Sequence, residues 1–119
     1  MRPPLLVALV VGAAGGPTIT TSVMLVMQDV LDFGFDADRA VNASRVFSAS
    51  HGDRPFEVVW DRALPLEVRL ALEQMGHIVD PHESTLSQLQ LAVRDASGTW
   101  KAAADTRAAP GGVVYVTGP

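Results

Sequence analysis

Residues 5–19 read Leu5-Leu6-Val7-Ala8-Leu9-Val10-Val11-Gly12-Ala13-Ala14-Gly15-Gly16-Pro17-Thr18-Ile19, and the fold turns on how this stretch divides. Leu and Val dominate residues 5–11, a continuous apolar run of the kind shown by a strand covered on both faces. Small residues from Gly12 to Gly16 then predict a tight turn. Pro17 suits the first position of a helix, where its missing N–H costs nothing. Beyond it, Ile19, Val23, Val26, Met27, Val30 and Leu31 recur at helical steps and draw one apolar stripe, with Gln28, Asp29 and Asp32 elsewhere. The same start admits a second reading. Met1-Arg2, an apolar run and small residues also outline a short signal peptide, which would make residues 1–14 the leader of a small exported protein. The run is too short to span a bilayer. The glycine-proline turn favours strand followed by helix.

Working outward, Gly34 is placed to stop the first helix. Asp36 then caps a short second helix through Asp38-Arg39-Ala40-Val41. Residues 44–54 predict a loop with a short strand at Arg45-Val46-Phe47, and Phe56-Glu57-Val58-Val59-Trp60 reads as another strand. Pro65 opens a third helix with Val68, Leu72 and Met75 on one face, stopped by Gly76. His77-Ile78-Val79 is extended. Residues 88–94 alternate as a strand should, and Asp95-Ala96-Ser97-Gly98 turns the chain into Thr99-Trp100-Lys101-Ala102-Ala103. Helices and strands do not alternate strictly, which predicts an α+β fold with helices packed on a largely antiparallel sheet. No internal repeat or linker divides the chain, so residues 1–119 form one domain or part of one.

Composition narrows function mainly by exclusion. With 119 residues, 48% hydrophobic and 18% charged, the chain is too apolar for a disordered segment. A net charge of −4 with scattered single arginines leaves no electrostatic footprint for nucleic acid or an anionic membrane. The absence of cysteine removes disulfides, thiolate metal sites and cysteine nucleophiles.

Among residues able to carry chemistry, the Gly15-Gly16 pair stands out. Glycines at the mouth of a helix leave backbone N–H groups unobstructed, and the helix dipole adds to their pull on an anion or a developing oxyanion. On the residues alone, a small-residue turn needed for close strand–helix packing is the commoner explanation. His77, Asp80, His82 and Glu83 crowd together, yet His77 and His82 fall on opposite faces if the segment is extended, which argues against a shared metal. Asp29 and Asp32 read as a solvated helical face. Arg45 with Asp105 or Arg107 reads as a structural ion-pair network, and Trp60 and Trp100 as packing.

The ordered pieces Gly12-Ala13-Ala14-Gly15-Gly16-Pro17-Thr18-Ile19-Thr20-Thr21, Val30-Leu31-Asp32-Phe33-Gly34, Ala40-Val41-Asn42-Ala43-Ser44-Arg45, Leu72-Glu73-Gln74-Met75-Gly76-His77-Ile78-Val79 and Ala104-Asp105-Thr106-Arg107 resemble the gamma-glutamyltransferase (gamma-glutamyltranspeptidase) family. The resemblance runs over residues 5–116 and corresponds to the C-terminal part of the family's small subunit. It implies part of an N-terminal-nucleophile hydrolase, whose whole fold is a four-layer αββα sandwich. In that family an N-terminal Thr, with its own amine as base, attacks the gamma-glutamyl amide of glutathione-like donors. The acyl group then passes to water or an amino acid, without cofactor or metal.

On this resemblance Gly15 and Gly16 supply the oxyanion hole, where losing one donor typically costs about 100- to 1000-fold in rate. The nucleophile's Thr-Thr-His motif does not occur in residues 1–119. The family's paired glutamate-gripping serines would fall at about Met1. Thr18, Thr20 and Thr21 are poor substitutes, because hydrogen bonding at the helix start explains them. The implied partners are the rest of the small subunit and the large subunit, and a chain with neither is expected to be silent. A non-catalytic assembly module on the same scaffold is the alternative. Departures from the family pattern include the Gly-Ala-Ala-Gly-Gly turn itself, Ser44 for Pro, Val46-Phe47 for an aromatic-histidine pair, and Thr106 within Asp-Pro-Arg.

Overall fold

The computed structural model describes residues 7–49, 53–61, 64–81, 87–107 and 112–116. Strand β1 spans Leu9–Ala14 and enters a short 3-10 turn, Gly16–Thr18, that leads directly into helix α1, Ile19–Leu31. Helix α2, Ala37–Asn42, strands β2, Arg45–Ser48, and β3, Glu57–Asp61, and helix α3, Leu66–Gln74, come next. Strands β4, Ile78–Pro81, β5, Gln88–Arg94, β6, Trp100–Ala104, and β7, Val113–Val116, complete the order.

These elements form two sheets. The larger has the order β1-β5-β6-β7 and is antiparallel throughout; the smaller has the order β2-β3-β4, with β3 and β4 parallel. The predicted α+β class is therefore what is found. Strand β7 went unread, since Gly-Gly and Pro beside Val113-Val114-Tyr115-Val116 look like a terminal loop until β6 offers its edge.

The first strand sits later than its apolar run predicts. Residues 5–6 lie outside the described residues, and pairing runs from Leu9 opposite Val93 to Ala14 opposite Gln88. The ladder with β5 thus carries Gly12, Ala13 and Ala14 in extended form and confines the turn to Gly15-Gly16. The reason is the partner: a strand ends where its hydrogen-bonding neighbour ends, not where its side chains become small.

Register then decides what each face does. Leu9, Val11 and Ala13 of β1 and Leu89, Leu91 and Val93 of β5 point toward the helices, where Val26, Ala37, Ala40 and Val41 complete a buried cluster with Ala103. The opposite face carries Val10, Gly12 and Ala14, with Ala92 across from Val10 and Ala102 across from Ala92. Val10 is 55% exposed there. One face of this sheet is packed and the other is uncovered within the described residues.

Local signals set the helix boundaries. Asp36 accepts the Arg39 backbone N–H at 2.8 Å and caps α2. Its carboxyl is held below its ordinary value of 3.8, first by that bond and next by Lys101. Asp29 differs from the solvated carboxylate expected on α1. Partial burial pushes its pKa up, opposed by the charges of Arg45 and Arg39.

Candidate functional site

The turn after β1 is built by two consecutive glycines in backbone conformations that other residues avoid, Gly15 at φ 140° and Gly16 at φ 65°. Their reasons differ. A Cβ on Gly15 would lie 2.7 Å from Ser87 Cα and 2.8 Å from Ser87 Oγ, so space as well as torsion excludes one. A Cβ on Gly16 would meet nothing within 4 Å, and only the torsion selects glycine there. The outer edge of the turn is thus open and its inner edge is filled by Ser87.

Thr18, in the turn entering α1, sits 7% exposed beneath this loop, and Ser87 is 1% exposed. Thr18 Oγ1 donates to the Gly15 carbonyl at 3.0 Å and lies 2.6 Å from Ser87 Oγ. Helix-start hydrogen bonding therefore accounts for Thr18, as the sequence indicates, but its reach across the fold to Ser87 is additional.

Behind Ser87 lies a buried group of four charges. Arg45 Nη1 donates to the Ser87 carbonyl at 3.1 Å, while its Nη2 pairs with Asp105 Oδ2 at 2.8 Å and also reaches the Val41 carbonyl. Arg107 grips Asp61 with two nitrogens, Nε at 2.7 Å and Nη2 at 3.0 Å, and meets Asp105 through Nη1. The side chains of Asp105 and Arg107 are 0% and 1% exposed. Two arginines face two aspartates, so each buried charge has a partner, the condition for such charges to be tolerated.

Burial, followed by repulsion from Arg107, lowers the Arg45 pKa. Burial also pulls on Arg107, but the hydrogen bond and charge of Asp61 outweigh it and the net shift is upward.

The network expected around Arg45, Asp105 and Arg107 is thus assembled, with Asp61 and Ser87 as members that the sequence does not reveal. A lone aspartate at a strand end and a serine before a strand carry no periodic signal. Ser87 adopts a positive φ of 76° without being glycine, so its special conformation is invisible in composition. Along β3 the buried positions are Glu57, Val59 and Asp61, and the two acids there meet Arg54 and Arg107.

Only two members of the acid–histidine cluster fall among the described residues. His77 contacts the Phe56 carbonyl, Asp80 pairs with Arg54, and His82 and Glu83 lie outside the described residues. Among the described residues no group of three His, Asp or Glu is placed to hold a metal. No described helix is long and apolar enough to cross a membrane. Trp60 packs under the Arg69 guanidinium, 5.0 Å from the ring centroid.

A strand, a glycine turn into a helix and a sheet with one face uncovered match part of a layered α+β sandwich of the N-terminal-nucleophile hydrolase type. A highly active mutant of gamma-glutamyltranspeptidase from Pseudomonas nitroreducens superposes with a TM-score of 0.78 at 27% identity, covering 100% of this chain and 60% of that one. Cephalosporin acylase from Bacillus halodurans superposes at 0.75 with 25% identity, over 92% of this chain and 20% of that one. A mutant gamma-glutamyltranspeptidase from Helicobacter pylori shares the fold at 0.73 and 24% identity, over 90% of this chain and 60% of that one.

The gamma-glutamyltranspeptidase family profile matches residues 5–115, and the chain belongs to that family. It spans about three fifths of the solved Pseudomonas chain.

Proposed function

We propose that this chain serves gamma-glutamyl transfer as the C-terminal part of a small subunit, with Gly15 and Gly16 providing the oxyanion hole. The observation that supports this is the turn itself. Two successive positive-φ glycines lie between β1, at the edge of the large sheet, and a helix start, with open space outside Gly16. Donors held in this way need no rearrangement when charge develops, which is how preorganised N–H groups lower an acyl-transfer barrier.

The step served is attack by an N-terminal Thr, borne on a part outside these residues, on the gamma-glutamyl amide of a glutathione-like donor. The carbonyl oxygen becomes the oxyanion, the amine leaves, and the gamma-glutamyl enzyme then yields its acyl group to water or an amino acid. The nucleophile's Thr-Thr-His motif does not occur in residues 1–119, so these residues alone are expected to be catalytically silent. Its partners are the nucleophile-bearing part of the small subunit and the large subunit. The sheet face opposite the helices, with Val10, Gly12, Ala14, Ala92 and Ala102 beside Gln88 and Gln90, is the one left open to a further layer.

The test is release of a chromophore from a gamma-glutamyl anilide. Activity is expected only after mixing with the nucleophile-bearing part. Turnover by the lone chain clearly above buffer would overturn the silent-part reading.

A further inference from the structure

We propose that Thr18 and Ser87 are positioning residues that aim and polarise the Gly16 N–H through the carbonyl of Gly15, an inference resting on the oxyanion reading of the turn. The Gly15 carbonyl can only accept, so the single Thr18 hydroxyl hydrogen is committed to it at 3.0 Å. In the 2.6 Å contact between the two hydroxyls, Ser87 must therefore donate and Thr18 accept. The result is a one-way relay, Ser87 O–H to Thr18 O–H to Gly15 C=O.

That carbonyl belongs to the same peptide unit as the Gly16 N–H. No peptide bond among the described residues is cis, so this C=O and N–H point in opposite directions. Holding the oxygen inward, against Thr18, forces the N–H to point away from Thr18, on a residue whose own Cβ position is open. Two serial hydrogen bonds ending on the oxygen also draw electron density toward it and make the N–H a stronger donor. Glycine at 15 and 16 would otherwise let the plane rotate, since neither residue limits the torsions.

The relay is itself anchored. Ser87 is held by its backbone, because Arg45 donates to its carbonyl from within the buried charge network. Ser87 also fills the space that a Cβ on Gly15 would need.

The test uses the assembled enzyme with Thr18→Val, Thr18→Ser and Ser87→Ala, and a fourth form in which the Gly16 amide is replaced by an ester. Selective 15N-glycine labelling follows the Gly16 N–H resonance. Thr18→Val is expected to move that resonance upfield and to lower kcat about 10- to 100-fold with KM within about twofold, a partial loss of one oxyanion donor. Thr18→Ser keeps the hydroxyl and should restore both readings. Ser87→Ala should show a smaller effect of the same sign.

An unmoved Gly16 resonance and unchanged kcat in folded Thr18→Val would overturn the relay. A slow ester form combined with fast Thr18→Val would leave the oxyanion hole standing and reject the relay alone. A fast ester form would reject the oxyanion reading of Gly16 and the proposal with it.

Discussion

The helices on the two sheets meet opposite fates. On the large sheet, α1 and α2 bury Val26, Ala40 and Val41 completely. Beside the small sheet, α3 buries nothing: Val68, Leu70 and Met75 are 40%, 47% and 73% exposed. Both regions carry apolar side chains at helical spacing, so the stripe alone does not decide burial. What differs is the surface opposite. The large sheet offers a row of Leu and Val from two neighbouring strands, whereas α3 leans on the edge strand β4 and stacks Arg69 on Trp60. An apolar stripe earns its stabilisation only where another apolar face receives it.

Asp105→Ala strikes hardest at the packed side of the molecule. It would leave Arg45 and Arg107 buried with one carboxylate fewer, at a cost of about 3–5 kcal/mol. Urea unfolding should find the well-packed region lost with it. A loss below about 1 kcal/mol would mean that the network is not what ties β2, β3 and β6 to the helix layer.

Next in size is a matched pair of truncations. Leu89→Ala empties a fully buried position in β5 and should cost about 2–5 kcal/mol. Leu70→Ala, half exposed on α3, should stay within about 0.5 kcal/mol in the chain alone. Equal losses in thermal melts would erase the distinction between the regions.

The smallest effect concerns the cap of α2. Asp36→Ala should cost about 1 kcal/mol at neutral pH. The folded-state pKa of Asp36 lies below its ordinary 3.8, so its contribution is present above that value and fades as pH falls through the folded-state pKa. The stability difference between wild type and variant should accordingly shrink below about pH 4, and a difference that persists into strong acid would exclude the charge of Asp36 as its source.

Much of the fold was legible along the chain because its signals are local. Pro17, Gly34, Asp36 and Gly76 punctuate the helices where the sequence places them, and residues 88–94 form the alternating strand they describe. The glycine turn was legible as well, though its length was not, since the β5 ladder rather than side-chain size set its start. Arg45, Asp105 and Arg107 were readable as a network from their charges. Asp61 and Ser87 were not, because their significance lies in partners 46 and 69 residues away, Arg107 and Thr18 respectively.

Sequence patterns therefore placed the elements from β1 to β6, the glycine turn and, through the order of the motifs, the family. Those follow from local propensity and spacing, which act over a few residues. Tertiary structure alone decided which sheet face is packed, that α3 buries nothing, and that a serine before β5 holds the turn after β1. Each of these depends on which distant groups share a surface or a proton, and no window of sequence contains both partners.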